Sequence, residues 1–263
     1  MIYLAPLLGF SLGILVNLLA DSLPVARTLQ RAHCAACTAP RSIVAWSGLI
    51  AFFTHHRACA YCGTLRGQRA ILVEAVSLIG AVILAQVNSE PNYYFPTLLV
   101  GFIFLLIVVI DIEHRLILHM VTLPAGILFF LLAGFNPDLT YARSLIGGAI
   151  GFVFFFLLYF MGDLFGKWMA QRKGYDQNEV AFGFGDVTLA TVIGLLLGFP
   201  AVIEALFRGI IYAGIFSIGY IIFLGLRKRY SSFIAFPYGP FLILGALWVY
   251  FQGWTSLERL LGM

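Results

Sequence analysis

Long apolar runs separated by short polar segments dominate this sequence. Runs of about 18 residues or more are long enough to cross a bilayer core of about 30 Å as a helix. Because lipid offers the backbone no hydrogen-bond partner, each such run is predicted to be helical. The pattern therefore predicts an all-α, polytopic membrane protein of about eight transmembrane helices. The predicted spans are 3–20, 71–88, 95–111, 117–133, 144–162, 181–199, 203–226 and 233–251.

Composition supports one membrane protein rather than a soluble domain with an anchor. Of the 263 residues, 61% are hydrophobic and 11% are charged, whereas soluble domains are about a quarter charged. The net charge of +4 does not indicate a nucleic-acid partner. The segment Met1–Leu19 lacks a basic n-region and a small-residue cleavage pattern, so it is predicted to be a retained first span.

The positions of the basic residues predict the orientation in the membrane. Thirteen of the 16 Lys and Arg lie in four alternate loops. These loops are 20–70, 111–116, 163–180 and 227–232. The positive-inside rule places them in the cytoplasm and both termini outside. The predicted organisation is a first span at 1–20, a cytoplasmic loop at 21–70 and a seven-span membrane domain at 71–263.

A shorter apolar stretch, Ile43–Phe53, lies within the first basic loop. It is too short to cross a bilayer, and Trp46, Ser47 and Gly48 interrupt it. A short apolar segment of this kind is typical of an interfacial or folded-back element.

All four cysteines lie in the same loop, as the pairs Cys34/Cys37 and Cys59/Cys62. Two C-x-x-C pairs separated by 21 residues match a tetrahedral zinc knuckle. The alternatives are two disulfides or four free thiols. A cytoplasmic loop keeps its thiols reduced, which favours zinc. Since four thiolates leave no open coordination position, the predicted ion is structural.

Two aspartates stand at the ends of predicted spans. Asp111 follows the apolar run Leu98–Ile110, and Asp186 precedes the run Val187–Phe199. The predicted topology puts both at the cytoplasmic edge of the membrane. Two carboxyl groups at one depth can share a proton and activate a water molecule against a peptide carbonyl. The simpler alternatives are that Asp186 caps a helix and that Asp111 pairs with Arg115.

Two glycines, Gly183 and Gly185, precede the second aspartate. Residues without side chains let another backbone, such as an extended peptide substrate, approach the aspartate closely. A dinucleotide-binding loop is excluded because the third glycine and a preceding strand are missing.

In order along the chain, these features resemble the bacterial prepilin peptidases, also called type IV leader peptidases, which are G-x-G-D aspartyl membrane proteases. The resemblance runs almost end to end. It is carried by Gly13–Asn17 with Leu23-Pro24, the paired cysteines with Gly63–Glu74, Ile110–Arg115 with Val121–Pro124, Gly183–Asp186, and Pro237–Phe241.

The resemblance implies an aspartic endopeptidase of the bacterial inner membrane whose active site faces the cytoplasm. Such enzymes remove a short basic leader from prepilins and pseudopilins of type IV pili or type II secretion. Many family members then methylate the new N-terminus with S-adenosylmethionine. By the same resemblance, Asp111 and Asp186 are the catalytic pair. The oligomeric state does not follow from it.

The sequence departs from the family pattern in two places. Thr188 stands where the family usually has lysine, and Leu118-His119 stand where it usually has proline and an acid or amide. Neither change removes a catalytic carboxyl, so they bear on substrate preference and methylation more than on cleavage. Asn17 and Glu74 are polar residues near predicted helix ends to which the resemblance assigns no role.

A second function class is an ion-coupled transporter that uses Asp111 and Asp186 as intramembrane carboxylates. It predicts carboxylates near the middle of the membrane and broken helices in two matching halves. The sequence places both aspartates at span ends instead. Ion flux into liposomes that is lost on either Asp→Asn change would favour the transporter.

Overall fold

The computed structural model of the protein describes residues 2–34, 36–54, 56–136, 139–173, 183–227 and 237–252. These residues form nine α-helices and one short 3-10 helix, at Ile43–Trp46. They contain no β-strand, only isolated bridges at His33–Pro40 and Ala58–Leu65. The helices are α1 Ala5–Ala26, α2 Gly48–Phe53, α3 Arg69–Val87, α4 Pro91–His114, α5 His119–Ala133, α6 Tyr141–Lys173, α7 Phe184–Leu197, α8 Ala201–Leu226 and α9 Gly239–Gln252.

Eight of the described helices are strongly apolar, which confirms an all-helical, multi-pass membrane protein. Five of them, α1, α3, α4, α6 and α8, are long and apolar enough to cross a membrane. The shorter apolar helices are α5, α7 and α9. The predicted basic loop 227–232 lies largely outside the described residues, as do the first residues of the predicted spans 181–199 and 233–251.

Two helices run well past their predicted spans. Helix α1 continues to Ala26 and contains Pro24, and α6 is 33 residues long and continues to Lys173. Hydropathy locates the apolar part of a helix, and polar turns can extend it beyond that part. The helix ends are therefore set by local sequence and packing, not by the edge of the apolar run.

The chain forms two compact units, Met1–Ile110 and Asp111–Met263. In the first unit, α1 packs closely along α3 because Gly9 and Gly13 lack side chains. A Cβ at these positions would lie 2.7 Å from the Ser77 carbonyl oxygen and 2.8 Å from Glu74 Cα, respectively. The Ser77 hydroxyl donates to the Gly9 carbonyl at 2.7 Å. The predicted division at residues 20 and 70 follows membrane topology rather than packing, and it stays a prediction.

The second unit is built around α7, whose Leu189, Ala190 and Ile193 are fully buried. Helix α6 crosses it at very short range, since a Cβ on Gly194 would lie 2.2 Å from the Gly147 carbonyl oxygen. Helices α8 and α9 pack equally closely, since a Cβ on Gly245 would lie 2.4 Å from the Ala205 carbonyl oxygen. This close packing holds α7 and α9, whose first turns carry residues of the candidate active site.

Candidate active site and candidate metal centre

The two C-x-x-C pairs adopt the same backbone turn twice, 25 positions apart. In the first turn the Cys34 amide donates to the Ala39 carbonyl at 2.9 Å, and in the second the Cys59 amide donates to the Thr64 carbonyl at 3.0 Å. The residue after each second cysteine has a positive φ, 57° at Thr38 and 70° at Gly63. Each turn therefore aims two thiols toward one point.

The four sulfur atoms are positioned to bind a metal ion. Cys34, Cys37, Cys59 and Cys62 have Sγ atoms all within 4.8 Å of one another. The Cys34–Cys62 and Cys37–Cys59 sulfurs are 3.6 Å apart. A tetrahedron with metal–sulfur bonds of about 2.3 Å has edges of roughly 3.8 Å, so the donor set fits. A disulfide would need about 2.05 Å, and all four cysteines are free.

The thiols of Cys62 and Cys37 differ in pKa. The hydroxyl and amide groups of Thr64 hydrogen-bond to Cys62 Sγ and lower its pKa to about 6. The backbone hydrogen bond at Ala39 lowers the pKa of Cys37, but burial and the hydrogen bonds with Cys62, Cys59 and Cys34 together raise it to about 12. Thiols must deprotonate to ligate a metal, so binding should release protons and weaken in acid.

Replacing Cys34 by serine should remove the bound metal. A site of four thiolates that loses one ligand no longer closes a tetrahedron, so we expect the metal content of the purified protein to fall from about one ion per chain to well below half. Elemental analysis by mass spectrometry measures this. His33→Ala is the matched control and should keep its metal, because His33 lies outside the sulfur cluster. Equal metal content in Cys34→Ser and wild type would contradict the prediction.

A buried carboxylate, Glu74 on α3, organises the segment that leads to the second cysteine pair. It has no exposed surface. Its Oε1 accepts hydrogen bonds from Asn17 Nδ2 at 3.1 Å and the Gly48 amide at 2.7 Å. Its Oε2 accepts from the Ser47 hydroxyl at 2.6 Å and the Leu49 amide at 3.0 Å. The family resemblance assigns no role to Asn17 and Glu74, whereas their hydrogen bonds in the structure join α1, α2 and α3.

Glu74→Gln should destabilise this joint. Each Glu74 oxygen accepts two hydrogen bonds. In glutamine one of these oxygens is replaced by an NH2 group, which is itself a donor, so two of the four hydrogen bonds would be lost. Hydrogen bonds to a charged group contribute about 1.5–3 kcal/mol each, so the loss of two should cost about 3–6 kcal/mol. Thermal unfolding in detergent measures it. Glu90→Gln on the exposed surface is the control, and an unchanged melting temperature for Glu74→Gln would contradict the prediction.

Asp111 lies in the last turn of α4 and is 4% exposed. Its carboxyl accepts a hydrogen bond from the Gly239 amide, with 3.0 Å between N and Oδ2. Gly239 begins α9, and a Cβ there would lie 2.7 Å from the same oxygen. The carboxyl therefore contacts the start of α9, a partner different from the Arg115 that the sequence suggested as an alternative.

Asp186 lies in the first turn of α7 and is half-buried. The helix begins at Phe184, with Gly183 as the capping residue. Asp186 is therefore not the N-cap, and its amide donates to the Gly183 carbonyl at 3.1 Å. Its carboxyl interacts with the backbone of the capping residue Gly183.

The two aspartate segments meet around Ile117, in the loop between α4 and α5. A Cβ on Gly185 would lie 2.7 Å from Ile117 Cβ, and one on Gly239 would lie 3.4 Å from Ile117 Cδ1. The charges of Asp111 and Asp186 act on each other electrostatically. The structure thus brings together two carboxyl groups that are 75 positions apart in the sequence.

The two glycines before Asp186 have different surroundings. Gly185 has no room for a side chain because of Ile117. Gly183 is exposed, and a Cβ there would meet Asp186 Oδ2 at an ordinary 3.9 Å. Gly185 therefore has a packing role. The approach of a substrate at Gly183 and Gly185 stays a prediction.

The departures from the family pattern lie next to Asp186. The Thr188 hydroxyl donates to the Gly185 carbonyl at 2.8 Å, so it faces its own helix. The His119 ring packs edge-on against Phe184, with 5.8 Å between centroids. Both residues shape the rim of the site and leave the carboxyl groups in place.

Sequence reasoning missed two neighbours of the carboxyl groups. The Gly239 amide binds Asp111, and Tyr238 interacts electrostatically with Asp186. Both neighbours lie in the segment Pro237–Phe241, which the sequence marked only as a motif of the last span. Its sequence does not say which group it contacts, because the contact spans 128 positions.

The fold is that of a multi-pass membrane protein. Its candidate site contains two carboxyl groups, and a carboxyl pair is also what aspartyl proteases use. Residues 98–218, which include both aspartates, match the Type IV leader peptidase family. The resemblance to this family is confirmed over these residues.

Curated relatives agree with the family match. Three of these relatives share the name prepilin leader peptidase/N-methyltransferase. The relative from Aeromonas salmonicida is 26% identical over 87% of this chain and 71% of its own length. The one from Dichelobacter nodosus is 28% identical over 78% and 64%, and the one from Vibrio cholerae is 27% identical over 78% and 74%. No solved structure matches the chain.

Proposed function

We propose that this protein is a membrane aspartyl endopeptidase that removes the leader peptide of type IV prepilins or pseudopilins. One observation carries the proposal. Asp111 and Asp186, both within the family region, come from the ends of two helices and meet around Ile117. The transporter alternative needs carboxylates near the middle of the membrane, and both aspartates lie in terminal helix turns.

The chemistry is hydrolysis by a carboxyl pair that shares one proton. The ionised carboxylate takes a proton from a water molecule, whose oxygen attacks the scissile carbonyl carbon. The protonated partner hydrogen-bonds to the carbonyl oxygen and stabilises the tetrahedral intermediate. That intermediate breaks its C–N bond as the carboxyl that took the water proton gives it to the amine leaving group, which returns the pair to its starting state. A coupled pair titrates as a unit, so the two roles belong to the pair rather than to one residue.

The proposed location is the inner membrane of a bacterium, with the site at the cytoplasmic face. The basic loops supply the orientation. The apolar helix of the substrate would lie in lipid among the spans, and its basic leader would remain at the inner leaflet. The proposed organisation is a first span, a cytoplasmic metal-binding loop at 21–70 and a seven-span membrane domain at 71–263.

Zinc is the proposed occupant of the sulfur cluster. The four thiolates of Cys34, Cys37, Cys59 and Cys62 would hold it with no open position, so it would supply folding energy and no reactive ligand. The ion would close the two turns onto each other and order the loop between α1 and α3.

Methylation of the new N-terminus is the second proposed activity, supported by the names of the relatives. It would need S-adenosylmethionine as the methyl donor. None of the described residues is assigned to binding this cofactor. Thr188, which the family resemblance marks as a departure, is the residue to vary when this activity is measured.

Mass spectrometry of a co-expressed model prepilin tests the proposal. We expect a product shortened by its leader, cut after a glycine at the membrane face, with the added mass of one methyl group where methylation occurs. A prepilin that stays intact beside folded, membrane-inserted protein would refute the peptidase. Ion flux in liposomes, measured on the same preparation, distinguishes the transporter.

A further inference from the structure

The segment between the two cysteine pairs is fixed at the ends of two membrane helices. The Ser47 hydroxyl and the Gly48 and Leu49 amides all bind Glu74 in the second turn of α3. A Cβ at Gly48 would lie 2.8 Å from the Ala70 carbonyl carbon. These contacts hold the 3-10 helix and α2 against the first turns of α3.

The segment has one buried and one exposed face. Its small residues Ala45, Ser47, Gly48 and Ala51 face inward and are buried. Its large apolar residues face outward. The exposed fractions are 80% for Ile43, 41% for Val44, 40% for Ile50, 46% for Phe52 and 76% for Phe53.

The charge around this face indicates what covers it. Residues 21–68 contain five arginines and one acidic residue, Asp21, which is paired with Arg66 and Arg69. The Arg57 guanidinium lies over the Phe52 ring, 5.4 Å from its centroid. Apolar side chains flanked by arginines are complementary to the boundary between anionic headgroups and acyl chains.

A bilayer surface is also the nearest apolar medium to this segment. Residues 69–87 form a candidate membrane span, and Glu74 joins the segment to its first turns. Since α2 has only six residues, it is too short to cross the membrane.

We propose that residues 43–53 form a membrane-surface element that inserts Ile43, Ile50 and Phe53 at the lipid headgroup–acyl boundary beside α1 and α3. The element would hold the cysteine cluster at the membrane face. The proposal does not depend on the peptidase activity and is tested without it.

The test uses the full chain in nanodiscs of anionic lipid, with a photo-crosslinking benzoyl-phenylalanine in place of Phe53 or, separately, of Ile43. Tyr61 is the matched control position, since it is an exposed aromatic residue (75%) in the cysteine turn outside the element. Mass spectrometry of the irradiated protein distinguishes lipid adducts from protein adducts, and retained metal reports that each variant is folded.

We expect at least about tenfold more lipid adduct at residues 43 and 53 than at residue 61. Adducts at residue 53 that join it to peptides of this chain or of a second copy would overturn the proposal. Lipid adduct at residue 53 no greater than at residue 61 would overturn it as well.

Discussion

Asp111→Asn and Asp186→Asn should each slow leader cleavage by about two to four orders of magnitude. An amide can neither take the proton of the attacking water nor give one to the intermediate, and positioned acid–base groups contribute about 10²–10⁴-fold to a rate. We expect each single variant to lose activity by that order. The rate is measured on a model prepilin with purified protein in detergent.

The double variant distinguishes a working pair from two independent residues. Groups that act as one unit are non-additive, so Asp111→Asn/Asp186→Asn should be no slower than either single variant. Asparagine keeps an oxygen that can accept the Gly239 amide, so the folded state should survive. Glu113→Gln, an exposed acid two positions after Asp111, is the control and should keep wild-type activity. Wild-type cleavage by both single variants would refute the pair.

Hydropathy was sufficient to predict the fold class. Eight apolar runs gave eight apolar helices because a lipid medium permits almost no other backbone structure. It could not predict the end of α1 at Ala26 or the length of α6, since those turns extend beyond the apolar part. Whether Ile43–Phe53 is interfacial stays a prediction, although the structure shows that it is folded into two short helices.

The candidate metal centre was predictable because its ligands lie close together in sequence. A C-x-x-C turn specifies its own geometry, and two such turns need only be brought together. The contacts of Glu74 and Asp111 were not predictable in this way. Glu74 binds Asn17 across 57 positions, and Asp111 binds Gly239 across 128. Such partners are defined only when the helices have packed.

Gly239→Ala should lower cleavage strongly while the protein stays folded. The new methyl group would lie 2.7 Å from Asp111 Oδ2, so the carboxyl must move away from the amide that holds it. Displacing a catalytic group by about 1 Å can cost about 100-fold in rate, and we expect a loss of that size. It should appear mainly in kcat, because the change displaces a reacting group rather than a substrate contact.

Gly214→Ala is the matched control for this change. Gly214 lies on α8 of the same unit, and a Cβ there meets nothing within 4 Å. Alanine is a better helix former than glycine by about 1 kcal/mol, so neither variant should unfold for reasons of helix propensity. A Gly239→Ala protein with the melting temperature and kcat of Gly214→Ala would show that the start of α9 does not position Asp111 for catalysis. A loss of kcat at an unchanged melting temperature would support the contact that the structure places between them.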